Sequence, residues 1–242
     1  MTRGQKKFLY GLLYLIILVL VVWGIVPKSP VQPACVGFSC GINQPLPLQL
    51  TEAARIFKSE SVKSGILLAS VQNPNADYGA DAFSYEFTVS EKNGGVVAQI
   101  SNIGNIYPGE TRYIIGFYDT AGLDLKMVAD QPDFKIIETN FRPAAGFLKP
   151  DLSLSSDLAT QVGSAGIKVT GNLKNQSSFA VQNVKALALL ENKYGDPIFA
   201  AQTIIQQVGG FKATPFEVSF PADQSIVENL VPDRTQVFFY AE

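Results

Sequence analysis

The chain has 242 residues, 47% of them hydrophobic and 17% charged, enough for one or two domains with a sizeable apolar core. It contains no histidine, which removes imidazole acid–base chemistry, Ser-His triads, His-ligated zinc and His-based pH switching. Nineteen basic against 21 acidic residues give a net charge of −2, no excess for a polyanion, so no nucleic acid partner is expected.

Phe8 to Val26 is a run of 19 residues without a charge. At 1.5 Å per residue a helix of that length spans roughly 28 Å, close to the hydrocarbon thickness of a bilayer. Arg3, Lys6 and Lys7 precede the run and only Lys28 follows closely. The positive-inside bias therefore predicts a cytoplasmic N-terminus at 1–7, a transmembrane helix at 8–26 in contact with membrane lipid, and an extracytoplasmic remainder. Cleavage as a signal peptide fits less well: the apolar run is long, and Gln32 occupies the −3 position before Ala34 and again before Cys35. Four of the basic residues precede position 29 and all 21 acidic residues lie at or after Glu52, so the exported part has a net charge of −6, ordinary for solubility.

Residues 27–47 carry five prolines and read as a stiff extended stalk. Cys35 and Cys40, the only cysteines, are spaced C-x4-C. Outside the cytoplasm a small disulfide loop is the favoured reading, with pairing between chains and metal binding as alternatives. Gly37 to Gly41 matches G-x-S-x-G in form only, since the corner works through a strand, a helix and a histidine base, and none is present there.

Beyond the stalk, short alternating runs punctuated by Gly, Pro and Asn predict strands throughout. In order these are Ile66–Val71, Phe83–Val89, a return strand from Val96 after the Asn93-Gly94 turn, Tyr113–Tyr118 and Phe134–Thr139. The second half repeats the order. Ile167–Gly171 leads to Asn175 as Ile66 onward leads to Asn73, and Val184–Leu190 ends at Glu191 as Phe83–Val89 ends at Glu91. Phe199 to Gln202 answers Val96 to Gln99, and Phe211-Lys212-Ala213-Thr214 answers Pro108-Gly109-Glu110-Thr111 before Phe216–Phe220. Phe238–Tyr240 closes the chain as a last strand. A drift of about 100 to 103 residues between the copies marks a duplication.

The expected fold is all-β: two tandem immunoglobulin- or fibronectin-III-like antiparallel sandwiches of about seven strands each, at 48–142 and 151–242, joined by a linker at 143–150 and preceded by the membrane helix.

The order of these elements resembles the FxLYD-type and LEA-2 (WHy)-type β-sandwich families. The residues that carry the likeness are Val71-Gln72-Asn73, Phe87-Thr88-Val89-Ser90-Glu91, Gly94-Gly95-Val96-Val97 and Pro108-Gly109 in the first copy. In the second they are Leu173-Lys174-Asn175 and Leu189-Leu190-Glu191 with Gly195. The chain departs from the pattern at Glu91, where aspartate is usual, and at Phe211-Lys212, which replaces Pro-Gly. The resemblance implies a non-enzymatic, membrane-anchored bacterial envelope module.

The remaining candidate chemistry reads as structure. Asp77 with Asp81 and Asp119 with Asp124 lack the alternating carboxylates and central glycine of a calcium loop, so turn formation is expected of them. Glu91 and Glu191 are expected to cap hairpin amides. Gly94-Gly95 and Gly209-Gly210 are isolated pairs, not phosphate loops. Neither catalytic nor cofactor-binding nor metal-binding residues are assigned, and no cofactor is expected. Aromatic residues such as Tyr113, Phe117 and Phe238 to Tyr240 suit a sandwich core better than a binding face.

The function expected is a non-enzymatic binding or structural module at the cell surface or envelope. Its partner, a protein or a glycan, would touch loops such as Tyr107-Pro108-Gly109-Glu110 or Tyr194-Gly195-Asp196-Pro197. A subunit of an envelope assembly or secretion complex is the alternative, and a carboxylate or serine hydrolase has least support.

Overall fold

A computed structural model describes residues 44–59 and 61–241. The expected membrane helix, the stalk up to residue 43, Cys35, Cys40 and the G-x-S-x-G match lie outside the described residues. Among the described residues, no helix is long and apolar enough to cross a membrane.

Residues 45–242 make one compact unit of antiparallel sheets, as the all-β expectation required. Its first half holds β1 (Gln49–Phe57), β2 (Ser64–Gln72), β3 (Tyr78–Ser90), β4 (Val96–Ile106), β5 (Thr111–Asp119) and β6 (Asp133–Pro143). Its second half holds β7 (Leu152–Leu154), β8 (Ala159–Gly163), β9 (Gly166–Asn175), β10 (Val181–Glu191), β11 (Pro197–Val208), β12 (Ala213–Phe220), a short helix α1 (Gln224–Asn229) and β13 (Gln236–Tyr240). Sheets β1-β2-β5 and β4-β3-β6 form the first half; β11-β10-β13 and β12-β9-β7, with β8 also on β9, form the second. Each run expected to be a strand falls inside one of these, whereas β1, β7, β8 and α1 carry no alternation strong enough to read beforehand.

Alternation explains the two cores. In β3, Phe83, Tyr85, Phe87 and Val89 point inward, and Leu67, Ala69 and Val71 of β2 meet them from the facing sheet. Phe87 sits 4.7 Å from Phe134 and 6.0 Å from Tyr85 between ring centroids. Edge strands are blunted: β1 is bulged on both sides of Glu52, and β12 carries Pro215, which an interior strand would not accept.

The two halves are not beads on a linker. β2 is apolar on both faces, because Ile66 and Leu68, which point away from its own core, join the core of the second half together with Phe57. Phe57 meets Phe199 at 5.7 Å, Tyr113 meets Phe238 at 4.9 Å, and the Tyr113 amide donates to the Tyr240 hydroxyl at 3.0 Å. Burying Phe57, Ile66 and Leu68 is worth roughly 5–9 kcal/mol at roughly 1.5–3 kcal/mol each, ample to hold two sheet pairs together. At the same seam Arg112 is buried, stacks over Tyr240 at 4.8 Å, bonds Asn105 and donates to the Ala241 carbonyl at 3.2 Å.

The duplication is visible atom by atom. Asn73 and Asn175 are fully buried. Asn73 Nδ2 donates to the carbonyls of Tyr78 (2.7 Å) and Tyr107 (3.0 Å); Asn175 Nδ2 donates to those of Phe179 (2.7 Å), Val208 and Gly209 (both 3.3 Å). Each Oδ1 accepts the amide two residues on, Asn75 at 3.0 Å and Ser177 at 2.9 Å. Each asparagine thus ties the turn after one strand to the turn between two others, satisfying backbone groups that would otherwise be buried unpaired.

These bonds correct the expected alignment. The Asn73 amide donates to the Glu110 carbonyl and the Asn175 amide to that of Lys212, so Gly109 matches Phe211 and Glu110 matches Lys212, one residue from the expected pairing. At the hairpins, Glu91 bonds Gly95 as Asn192 bonds Asp196, so Asn192 is the partner of Glu91, and Glu191 takes the place of Ser90. The hairpin amides are capped by asparagines rather than by the expected glutamates: Asn93 Oδ1 accepts the Gly95 amide at 2.9 Å, and Asn192 Oδ1 accepts those of Tyr194 (2.8 Å) and Asp196 (3.0 Å).

Because Arg112 and Asn105 meet Ala241 while Phe57 meets Phe199, both buried asparagines lie at one end of the body and both hairpins at the other.

Candidate functional site

Towards the hairpin end the two facing sheets part, leaving a cleft of about 910 Å³. One wall is β1, with Glu52, Arg55, Ile56 and Phe57, joined by Tyr113 of β5 and by Asp130 and Gln131 before β6. The other wall is Glu191, Gly195, Asp196, Pro197 and Ile198 of the β10–β11 hairpin, with Gln236 at the start of β13. The bulges flanking Glu52 turn Glu52 and Arg55 out of strict alternation, which is how bulges re-aim side chains.

The cleft's cations are already engaged. Arg55 lies 3.7 Å from Glu52, and Lys58 bonds Asp130 at 2.8 Å and the Val128 carbonyl at 2.7 Å. The Lys58 hydrogen bond holds the Asp130 carboxyl below its ordinary range. Glu191 is buried, where the first half has Ser90, and its Oε1 accepts from Gln236 Nε2 at 2.6 Å. Burial pushes its carboxyl up from the ordinary value, with Arg234 pulling it down and Asp196 pushing it up. Burial also raises the Tyr113 phenol, aided by the charges of Glu52 and Glu191 and opposed by Arg55. The result is a surface of carboxylates, carboxamides and one tyrosine over an apolar floor. It suits a polar ligand with hydroxyl or amine donors and offers little to a polyanion.

Of the loops expected to touch a partner, the structure brings one to this cleft. Tyr194 is 75% exposed at the hairpin tip, with Lys193 Nζ 4.9 Å from its ring, and Gly195, Asp196 and Pro197 line the cleft. Gly195 sits at φ 86, a backbone position that suits glycine. The Tyr107–Glu110 turn lies at the opposite end and is tied down. The Tyr107 ring meets Phe147 at 5.9 Å, Lys149 Nζ lies 5.8 Å from it, Glu110 Oε2 accepts the Tyr107 amide at 2.8 Å, and Gly109 alone of the four is exposed.

The carboxylate pairs behave as turn formers and ion pairs: Asp119 and Asp124 accept the amides of Ala121 (2.8 Å) and Lys126 (3.0 Å), and Asp81 pairs with Arg142. Among the described residues, no group of three or more His, Cys, Asp or Glu is placed to hold a metal ion. Glu52, Arg55, Asp130, Gln131 and Gln236 carry no motif, because the cleft exists only once two sheet pairs face each other. The one advance signal is the apolar run Ile66–Ala69, four consecutive apolar residues where a half-buried strand would alternate.

No family model matches the chain, and no curated protein does. Among solved structures, the N-terminal CBM22-1–CBM22-2 tandem domain of Paenibacillus barcinonensis Xyn10C aligns over 82% of this chain and 87% of its own, at 9% identity and a TM-score of 0.15. A likeness that slight carries no argument about fold or ligand.

Proposed function

We propose that this chain is a non-enzymatic binding module, displayed outside a membrane by an uncleaved helix at 8–26, whose contact surface is the cleft between its two facing sheets and the adjoining Tyr194 hairpin. The two sheet pairs are read as tandem immunoglobulin-like sandwiches of the kind the FxLYD and LEA-2 resemblance implies. The observation that carries the binding role is the cleft itself, whose volume falls in the usual range for ligand sites and whose polar groups converge over an apolar floor. With Arg55 and Lys58 each beside a carboxylate, the partner chemistry it fits best is a neutral or basic glycan segment. Its hydroxyls would bond Glu52, Gln131, Asp196 and Gln236, and a ring face would stack on Tyr113.

The test is equilibrium titration of the full chain in detergent with a panel of neutral hexose and N-acetylhexosamine oligomers. The reading expects saturable binding to at least one, lost in Tyr113→Ala and Gln236→Ala. Failure of every oligomer, or binding untouched by both substitutions, contradicts it. For the display, protease added to intact cells should digest residues 45–242; a body spared until the cells are opened contradicts the topology.

A further inference from the structure

We infer that the seam between the halves is a head-to-tail stacking mode which charged side chains on the two outermost sheets cap, so that the chain acts as a closed pair and not as the repeating unit of a fibre. The inference is independent of the cleft and its ligand.

The seam joins unlike faces. Sheet β1-β2-β5 brings Ile66, Leu68 and Ile115 to it, and sheet β11-β10-β13 brings Leu187, Leu189 and Phe238. Because the chain is a duplication, each of these sheets has a counterpart that faces outward: β12-β9-β7 for the first and β4-β3-β6 for the second. The same joint would therefore recur between chains, the β12-β9-β7 sheet of one copy lying on the β4-β3-β6 sheet of the next. Contacts between unlike faces that do not close into a ring build open filaments, and stacked repeats stay soluble only when their end faces are polar.

The ladders fix which residues stand in for the seam. With Asn73 matching Asn175, the counterparts of Ile66, Leu68 and Ile115 are Lys168, Thr170 and Glu217, and Leu68 pairs with Ile115 as Thr170 pairs with Glu217. With Ser90 matching Glu191, the counterparts of Leu187, Leu189 and Phe238 are Glu86, Thr88 and Lys135, and Leu187 pairs with Phe238 as Glu86 pairs with Lys135. All six seam residues are apolar and none of the six counterparts is. Inward positions on the same strands show no such change. Leu67 and Val71 match Val169 and Leu173, and Phe87 and Val89 match Ala188 and Leu190, every one of them buried. The loss of apolar character is thus confined to the faces that would stack. Ile103, exposed on β4, is no exception, since it matches Ile204, which is itself 49% exposed outside the seam.

The replacements are charged in a way that resists stacking. Lys168 Nζ lies 2.7 Å from Glu217 Oε1, with both side chains about half exposed. On the other outer sheet Glu86 accepts the Ser101 hydroxyl at 3.2 Å, and Lys135 beside it pairs with Asp133 at 2.7 Å. A second sheet laid on either face would strip water from these ions and offer them no new partner. Charge placed against an unwanted contact is how an interface is made specific by repulsion.

The experiment uses the full chain in detergent and follows mass per particle by sedimentation velocity as protein concentration rises. One variant, K168I with E217I, restores seam residues on the β12-β9-β7 face; the other, E86L with K135F, restores them on the β4-β3-β6 face. K168M with E217M and E86M with K135M are second versions, used if near-ultraviolet circular dichroism shows that a first one has not folded. Any association through residues 8–26 is common to parent and variants and cancels in the comparison. The expected result is that an equimolar mixture of the two variants associates about tenfold or more tightly than the parent does with itself, and more tightly than either variant alone. A parent that associates as tightly as the mixture overturns the capping. A mixture that is no tighter than either variant alone overturns the head-to-tail mode.

Discussion

Asn73→Ala should cost more than any surface change in this protein. The side chain is fully buried, and truncation removes its bonds to the Tyr78 and Tyr107 carbonyls and the two its Oδ1 accepts from the Asn75 backbone amide and Nδ2. Four hydrogen bonds at about 1 kcal/mol each, the last between half-buried side chains and worth least, give a loss of about 3–4 kcal/mol. For a body of this size each kcal/mol moves the midpoint by about 2–4 °C, so the full chain in detergent should melt about 6–16 °C lower, followed by near-ultraviolet circular dichroism. Asn175→Ala should match it, because its side chain makes the same kind of bonds to Phe179, Val208 and Gly209. Asn73→Asp should do no better than alanine, since it keeps the acceptor but turns a carboxylate towards two carbonyls. A loss below about 1 kcal/mol in either alanine variant would refute the reasoning that these amides pin their turns.

Three further outcomes follow from the same geometry. Phe211→Gly should stabilise the fold by about 0.5–1 kcal/mol, read as a higher unfolding midpoint, as relief of left-handed strain outweighs the extra freedom of glycine in the unfolded chain. Leu68→Ala, at the seam between the halves, should cost about 2–4 kcal/mol and lower both halves together in one transition, checked by calorimetry. Glu191 binds its proton more tightly folded than unfolded, so it lowers stability as pH rises from about 4.5 through its raised native value. Glu191→Gln should therefore melt higher than the parent at pH 7, with the gain disappearing in acid below that window.

The strands that were legible are those with a buried and an open face. Phe83 to Val89 alternates because β3 is covered on one side, and Asn93-Gly94 fixes its hairpin. β1 was not legible: two bulges break its period, so QLTEAARIF shows no alternation to read. The repeat was visible in its asparagines, yet its turns aligned one residue off, because the backbone, not residue type, makes Gly109 and Phe211 equivalent. The cleft was hidden for a different reason. Its walls come from positions as far apart as Glu52 and Gln236, and what brings them together is apolar burial by Phe57, Ile66 and Leu68, which in sequence look like ordinary core. Of the two loops singled out in advance, Tyr194 to Pro197 borders the cleft because a hairpin tip projects from its sheet. Tyr107 to Glu110 is held down because the buried Asn73 claims its backbone.

The most direct measurement is amide hydrogen exchange of the full chain in detergent, with and without a saturating neutral oligosaccharide from the panel. The account predicts slowed exchange at 52–57, 130–131 and 192–197, with the outer faces of β3 and β9 unchanged. Protection confined to those outer faces, or none at saturation, would contradict the cleft as the binding surface.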